Sequence, residues 1–169
     1  QYTVKDIARP ASGWVETDGV RHRVPEHQSW ATLDHGRGRW PYDIEWNWGA
    51  AAGRVDDHTL GIQIGAKWTD GTGMTENSIY FDGRLTKVGH LDWEYDIGEW
   101  RSPWHIRGPQ MDLNFRPFFN KQSRTDLGMI ASRTDQCFGT YSGTVQVDEV
   151  GAVTFDGLVG WAEEVHNRW

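Results

Sequence analysis

The sequence predicts an all-β domain, an antiparallel lipocalin-like barrel or a strongly bent barrel-like sheet. Three observations lead there. Apolar and polar residues alternate with period two along most of the chain, and no stretch carries a convincing helical stripe. Such runs recur about ten times at short, regular spacing, separated by turn residues, which is the pattern of a sandwich or barrel. Glycines stand inside several of them, at Gly61, Gly65, Gly128 and Gly139, and fit the sharp bends of a closed barrel better than a flat sandwich.

The elements follow in order. The opening "QYTVKD" is already strand-like, and Asp18-Gly19 inside "GWVETDGVRHRV" (13–24) is a tight-turn dipeptide between two strands. Within residues 29–48, "SWATLDHGRGRWPYDIEWNW", Asp34, His35, Arg37 and Arg39 crowd a glycine-punctuated loop leading into a strand with two tryptophans. Over Tyr42 to Trp48, Tyr42, Ile44, Trp46 and Trp48 share one face against Asp43, Glu45 and Asn47, and the apolar face is expected to point into the core. Thr59 to Trp68 alternates in the same way. Asp82-Gly83 turns a second hairpin, and 90–96 and 102–108 are short strands.

From Met111 to Phe115 the alternation is strict, and Pro117 marks an edge or a bulge. Residues 127–147 hold two strands or one long bent one. Residues 152–169 read as a hairpin and a strand with Trp161, Glu163, Val165, Asn167 and Trp169 on one face.

Bulk properties narrow the function. A chain of 169 residues suits one domain with a real core. A net charge of −7 disfavours nucleic acid and anionic membrane surfaces, and no apolar run approaches the roughly 20 residues of a membrane span. The lone Cys137 rules out an intrachain disulfide and points to a reducing compartment, expected to be cytoplasmic. A start inside a strand, without methionine, suggests a fragment or processed chain, so the lack of a signal peptide is uninformative. Phosphate loops, serine elbows and the His-Glu-x-x-His metal motif are all missing, and neither metal nor cofactor is expected.

Candidate site residues fall into four groups. The 11 tryptophans suit sites that are mainly apolar but keep one polar partner, and Trp46, Trp48 and Trp68 are the candidates to line a cavity. Asp34 and Arg37, beside His35 and Arg39, form either a solvated turn or an orienting pair. The stretch 69–77 is longer than a plain hairpin needs; Asp70, Thr75, Glu76 and Asn77 either satisfy the loop's own backbone or cap a barrel mouth. At the end of the chain, Glu163 shares a face with Trp161, where burial would raise its pKa, whereas Glu164 shares the opposite face with His166 and Arg168. Salt bridging inside the barrel is an equally good use of these two carboxylates.

The segments "LDHGRGRWPY", "GAKWTDGTGMTENSIYFDGRL", "MDLNFRPFF" and "GWAEEVHNRW" resemble the DUF2804 family of uncharacterised proteins, and the likeness extends over essentially the whole chain. The resemblance implies a place among the calycins, hence a lipocalin-like barrel. It also implies that residues 1–169 form a single barrel domain matching the C-terminal part of a longer two-barrel protein, whose missing N-terminal half would be a partner. It implies no catalytic residue. The expected function is the binding of a hydrophobic small molecule, lipid or isoprenoid in type, in a tryptophan-lined cavity. The alternatives are a hydratase- or cyclase-type enzyme acting on an isoprenoid or polyene through a carboxylic acid, and a structural half-domain with a filled barrel.

Overall fold

The computed structural model describes residues 2–169, and every regular element among them is a β-strand. Nine strands form one antiparallel sheet curled into a half-barrel. In chain order the thirteen strands are β1 (Tyr2–Pro10), β2 (Gly13–Thr17), β3 (Val20–Val24), β4 (Trp30–Arg37), β5 (Asp43–Val55), β6 (His58–Ala66), β7 (Ser78–Phe81) and β8 (Arg84–Lys87), followed by β9 (Asp92–Glu94), β10 (Trp104–Gly108), β11 (Met111–Asp126), β12 (Ala131–Val147) and β13 (Gly151–Arg168). The large sheet runs β8-β7-β6-β5-β13-β12-β11-β10-β9, while β1-β4 and β2-β3 are separate two-stranded ribbons.

Connectivity forces the curl. The edge strands β8 and β9 are joined only by Val88–Leu91. In a flat sheet the two edges would lie roughly 38 Å apart, yet so short a link reaches about 17 Å at most. The sheet must therefore roll until its edges approach. Side chains finish the closure: the Gln110 amide donates to the Lys87 carbonyl (2.9 Å) and accepts from Gly89 N (3.2 Å), and Asp148 N donates to Thr86 Oγ1 (3.0 Å). The inner face is packed with Leu60, Ile62, Ile64, Ile79, Trp104 and Phe115, all wholly buried.

The tight turns at Asp18-Gly19 and Asp82-Gly83 are present, and each pair has positive φ, as such turns require. Pro117 sits at a bulge between β11 and β12. Three expectations need correction. Residues 30–37 are strand β4 rather than a loop, because β1 supplies a partner for them. The last segment is one strand, not a hairpin plus a strand: at Asp156-Gly157 the pairing with β12 shifts and then resumes, so these residues mark a bulge. Finally, Trp46 and Trp48 do share a face, but it is the outer one. Asn47, Gly49, Ala51 and Gly53 of β5 pair with Ala66, Ile64, Ile62 and Leu60, and so occupy the core side.

Among the described residues, no helix is long and apolar enough to cross a membrane, and no group of three or more His, Cys, Asp or Glu side chains could hold a metal ion.

Candidate functional site

The β1–β4 ribbon lies across the outer face of the sheet, against β5 and β6. Its docking point is Gly61, where an added Cβ would meet Ala8 Cβ at 3.0 Å and Ile7 Cδ1 at 3.3 Å. Only glycine lets the ribbon approach so closely. Away from this contact, ribbon and sheet border a partly open cavity of about 270 Å³. Thr3 and Lys5 of β1 and Asp34 and Gly36 of β4 form its roof. Ile44, Trp46 and Trp48 of β5, with Glu163 of β13, form its floor. Trp40, Trp68, Glu76 and Trp169 close the sides. Gly36 leaves the room that Trp40 needs, since a Cβ there would come within 3.0 Å of the indole.

Three of the five indoles are anchored through their N–H groups. Trp46 Nε1 donates to Glu163 Oε1 (3.1 Å), Trp48 Nε1 to Gln63 Oε1 (3.0 Å) and Trp68 Nε1 to Glu76 Oε2 (3.3 Å). Trp40 meets Trp68 edge to face, with ring centroids 5.7 Å apart. Anchored rings form a preorganised aromatic wall, so binding a guest costs little ordering entropy.

Among the described residues, the charged groups divide into a matched pair and two carboxyls without ion-pair partners. Lys5 Nζ lies 2.5 Å from Asp34 Oδ1 and 4.7 Å from the centre of the Trp48 ring. Glu76 accepts from Trp68 and from the Thr3 hydroxyl. Glu163 is 6% exposed and also accepts from Gln136 Nε2 at 2.8 Å. Burial raises its pKa above the ordinary carboxylate value, and the donors Trp46 and Gln136, with the charge of Lys5, offset only part of that rise.

Glu164, its neighbour, has the opposite fate. It lies opposite Asn47, on the inner side of the sheet, and accepts from Arg133, Tyr95 and Lys67, the last at 2.9 Å. Burial works to raise its pKa, but these three donors override it and hold the carboxyl at about 2. Tyr95 is raised in turn, by burial and then by the carboxylate. The network ties β13 to β12, to Lys67 after β6 and to Tyr95 after β9. Cys137 provides no nucleophile either, because burial pushes its thiol up to about 12.

Of the residues expected at a site, Trp46, Trp48, Trp68, Asp34, Glu76 and Glu163 converge on the cavity. The others lie elsewhere. Trp161 packs edge to face on Trp48, at 5.1 Å, behind the wall. Arg37 stacks over Tyr2, and exposed Asp70 faces His90 at 3.7 Å. Thr75 donates to the Val88 carbonyl (2.6 Å), while Asn77 accepts from Gly65 N (2.6 Å) and donates to the Gly89 carbonyl (2.9 Å). Within the 69–77 stretch Thr72 bonds the loop's own backbone, at the Thr69 carbonyl and Met74 N, whereas Thr75 and Asn77 tie it to neighbouring segments, and only Glu76 lines the cavity. Sequence reading misses Thr3, Lys5, Trp40 and Gln136, since nothing local signals that β1 lies across β5. Alternation does put Trp169 on the same strand face as Glu163, and that face is the one the cavity uses.

A family model described as a domain of unknown function, DUF2804, matches residues 1–169. No curated protein matches the chain, and no solved structure does.

Proposed function

The chain belongs to the DUF2804 family, and from that premise we propose that it binds a hydrophobic small molecule, lipid or isoprenoid in type, beneath the β1–β4 ribbon. The observation that carries this reading is the cavity itself, about 270 Å³ and walled by Trp40, Trp46, Trp48, Trp68 and Trp169. Aromatic walls with a few convergent polar groups are the general form of a ligand site, and the volume lies just below the usual range of roughly 300–1,000 Å³. A ring or a short branched chain fits it better than a long acyl tail. A calycin-like grouping remains part of the proposal as fold analogy alone, and the site differs from that analogy by lying outside the sheet's packed inner face.

The test is calorimetric titration with a short neutral isoprenoid alcohol, geraniol. Trp46→Ala with Trp68→Ala should weaken binding by at least about tenfold, a loss of roughly 1.4 kcal/mol. Unchanged affinity in the folded double variant would overturn the reading.

A second reading, acid catalysis on an isoprenoid or polyene, is favoured by Glu163, a buried carboxyl of raised pKa at the cavity wall. Turnover of an alkene substrate that persists in Glu163→Gln would reject it. A structural role within a longer two-barrel protein draws support from the uncovered outer face, where Phe119 and Val159 are exposed. Protection of these positions from labelling in a longer chain would be its signature.

A further inference from the structure

We propose that the cavity takes an organic cation, an alkylammonium or quaternary ammonium group, held against the tryptophan rings by Glu76 and Glu163. This rests on the reading that the cavity binds a small molecule at all, and narrows it to one class of head group.

The cavity carries an excess of negative side chains. Three carboxyls, Asp34, Glu76 and Glu163, line it against one ammonium, Lys5. Asp34 is engaged with Lys5. Glu76 and Glu163 accept only from uncharged donors, a hydroxyl, an amide and two indole N–H groups. Among the described residues, neither has a cationic partner within ion-pair distance. A carboxylate that is desolvated yet hydrogen-bonded only by neutral groups is held at a cost, which a cationic guest would relieve. An anionic guest would meet two unneutralised carboxyls and a lysine that is already paired.

The aromatic walls point the same way. Tryptophan is the best π-face for a cation, and cages of such rings are how quaternary ammonium groups are recognised. The protein already makes one such contact, with the Lys5 ammonium over Trp48 and against Asp34. The guest would repeat that arrangement with Trp46 and Trp68, the two rings anchored to the unpaired carboxyls. Neutral hydrogen-bond donors bonded to each carboxylate fix its position without cancelling its charge.

The experiment compares choline with 3,3-dimethylbutan-1-ol, its uncharged carbon isostere, by calorimetry on the wild-type chain, with geraniol as a third titrant. Choline should bind at least about tenfold more tightly than the isostere, and its affinity should fall as salt rises. Glu76→Gln and Glu163→Gln should each weaken choline by roughly fivefold while moving the isostere less than twofold. Lys5→Met, which removes the internal competitor, should strengthen choline binding. Equal affinity for choline and its isostere would overturn the cation assignment and leave small-molecule binding intact. Failure of choline, isostere and geraniol alike would overturn both. The comparison of choline with its isostere is made on the wild-type chain alone, so it decides the matter even where a variant fails to fold.

Discussion

Replacing Glu164 by glutamine should remove a large part of the acid sensitivity of this fold. Its side chain is 7% exposed and accepts from Arg133, Tyr95 and Lys67, so solvent screens these contacts little. In the folded chain the carboxyl titrates at about 2, against an ordinary value of 4.5. A lowered folded-state value means that the unfolded chain takes up the proton first. The stabilisation is therefore complete above pH 4.5 and drains away as pH falls through about 2. At about 1.36 kcal/mol per pH unit, the gap corresponds to roughly 3 kcal/mol. At neutral pH the variant loses the ion pairs but strands neither cation: Lys67 keeps Glu45 at 3.7 Å, and Arg133 keeps Asp135 at 3.4 Å. Its cost should thus lie near the lower end of the 3–5 kcal/mol typical of broken buried pairs, about 3 kcal/mol. The assay is urea unfolding followed by tryptophan fluorescence between pH 7 and pH 2. Wild type should lose stability steeply below about pH 4.5, and the variant should give a flatter curve. Parallel curves for the two proteins would refute the reasoning, because they would show that Glu164 does not bind protons differently on unfolding.

Glu163→Gln should act in the opposite sense. With a folded-state pKa raised by burial, Glu163 favours the fold below the ordinary value of 4.5, and that contribution is lost as pH rises through the folded value. The amide, which needs no proton, should leave the protein more stable at pH 7 than wild type by thermal unfolding, provided Gln136 turns its oxygen toward the new amide. Trp104→Ala should cost about 3–5 kcal/mol in denaturant titration, because a wholly buried indole stacked 4.3 Å from Tyr95 leaves a cavity behind. Trp46→Ala, half-buried in the floor of an existing cavity, should cost only about 1–2 kcal/mol in the same titration. Gly139→Ala should lower stability by about 3 kcal/mol or more, since its Cβ would fall 2.4 Å from the Arg116 carbonyl oxygen and 2.7 Å from Phe115 Cε2.

Period-two alternation is a property of neighbouring residues, which is why the all-β class, the two tight hairpins and the bulge at Pro117 can be read from the chain alone. The same alternation sorts Glu163 from Glu164 onto opposite faces, so the division between one carboxyl among tryptophans and one in salt bridges was already written at positions 161–169. Alternation does not say which face is the inside. Both faces of β5 and β6 look half-apolar, and the choice was made by strands distant in sequence. The inner face is closed by β9–β13 curling round to meet Val88–Leu91, while the outer face is covered by β1 docking on Gly61. That second contact turned an exposed row of tryptophans into a cavity and brought Lys5 and Asp34 to it, beside Glu76 from the β6–β7 connection. A site assembled across a non-hydrogen-bonded packing of two sheets depends on long-range contacts, and these leave no periodic trace in the residues that make them.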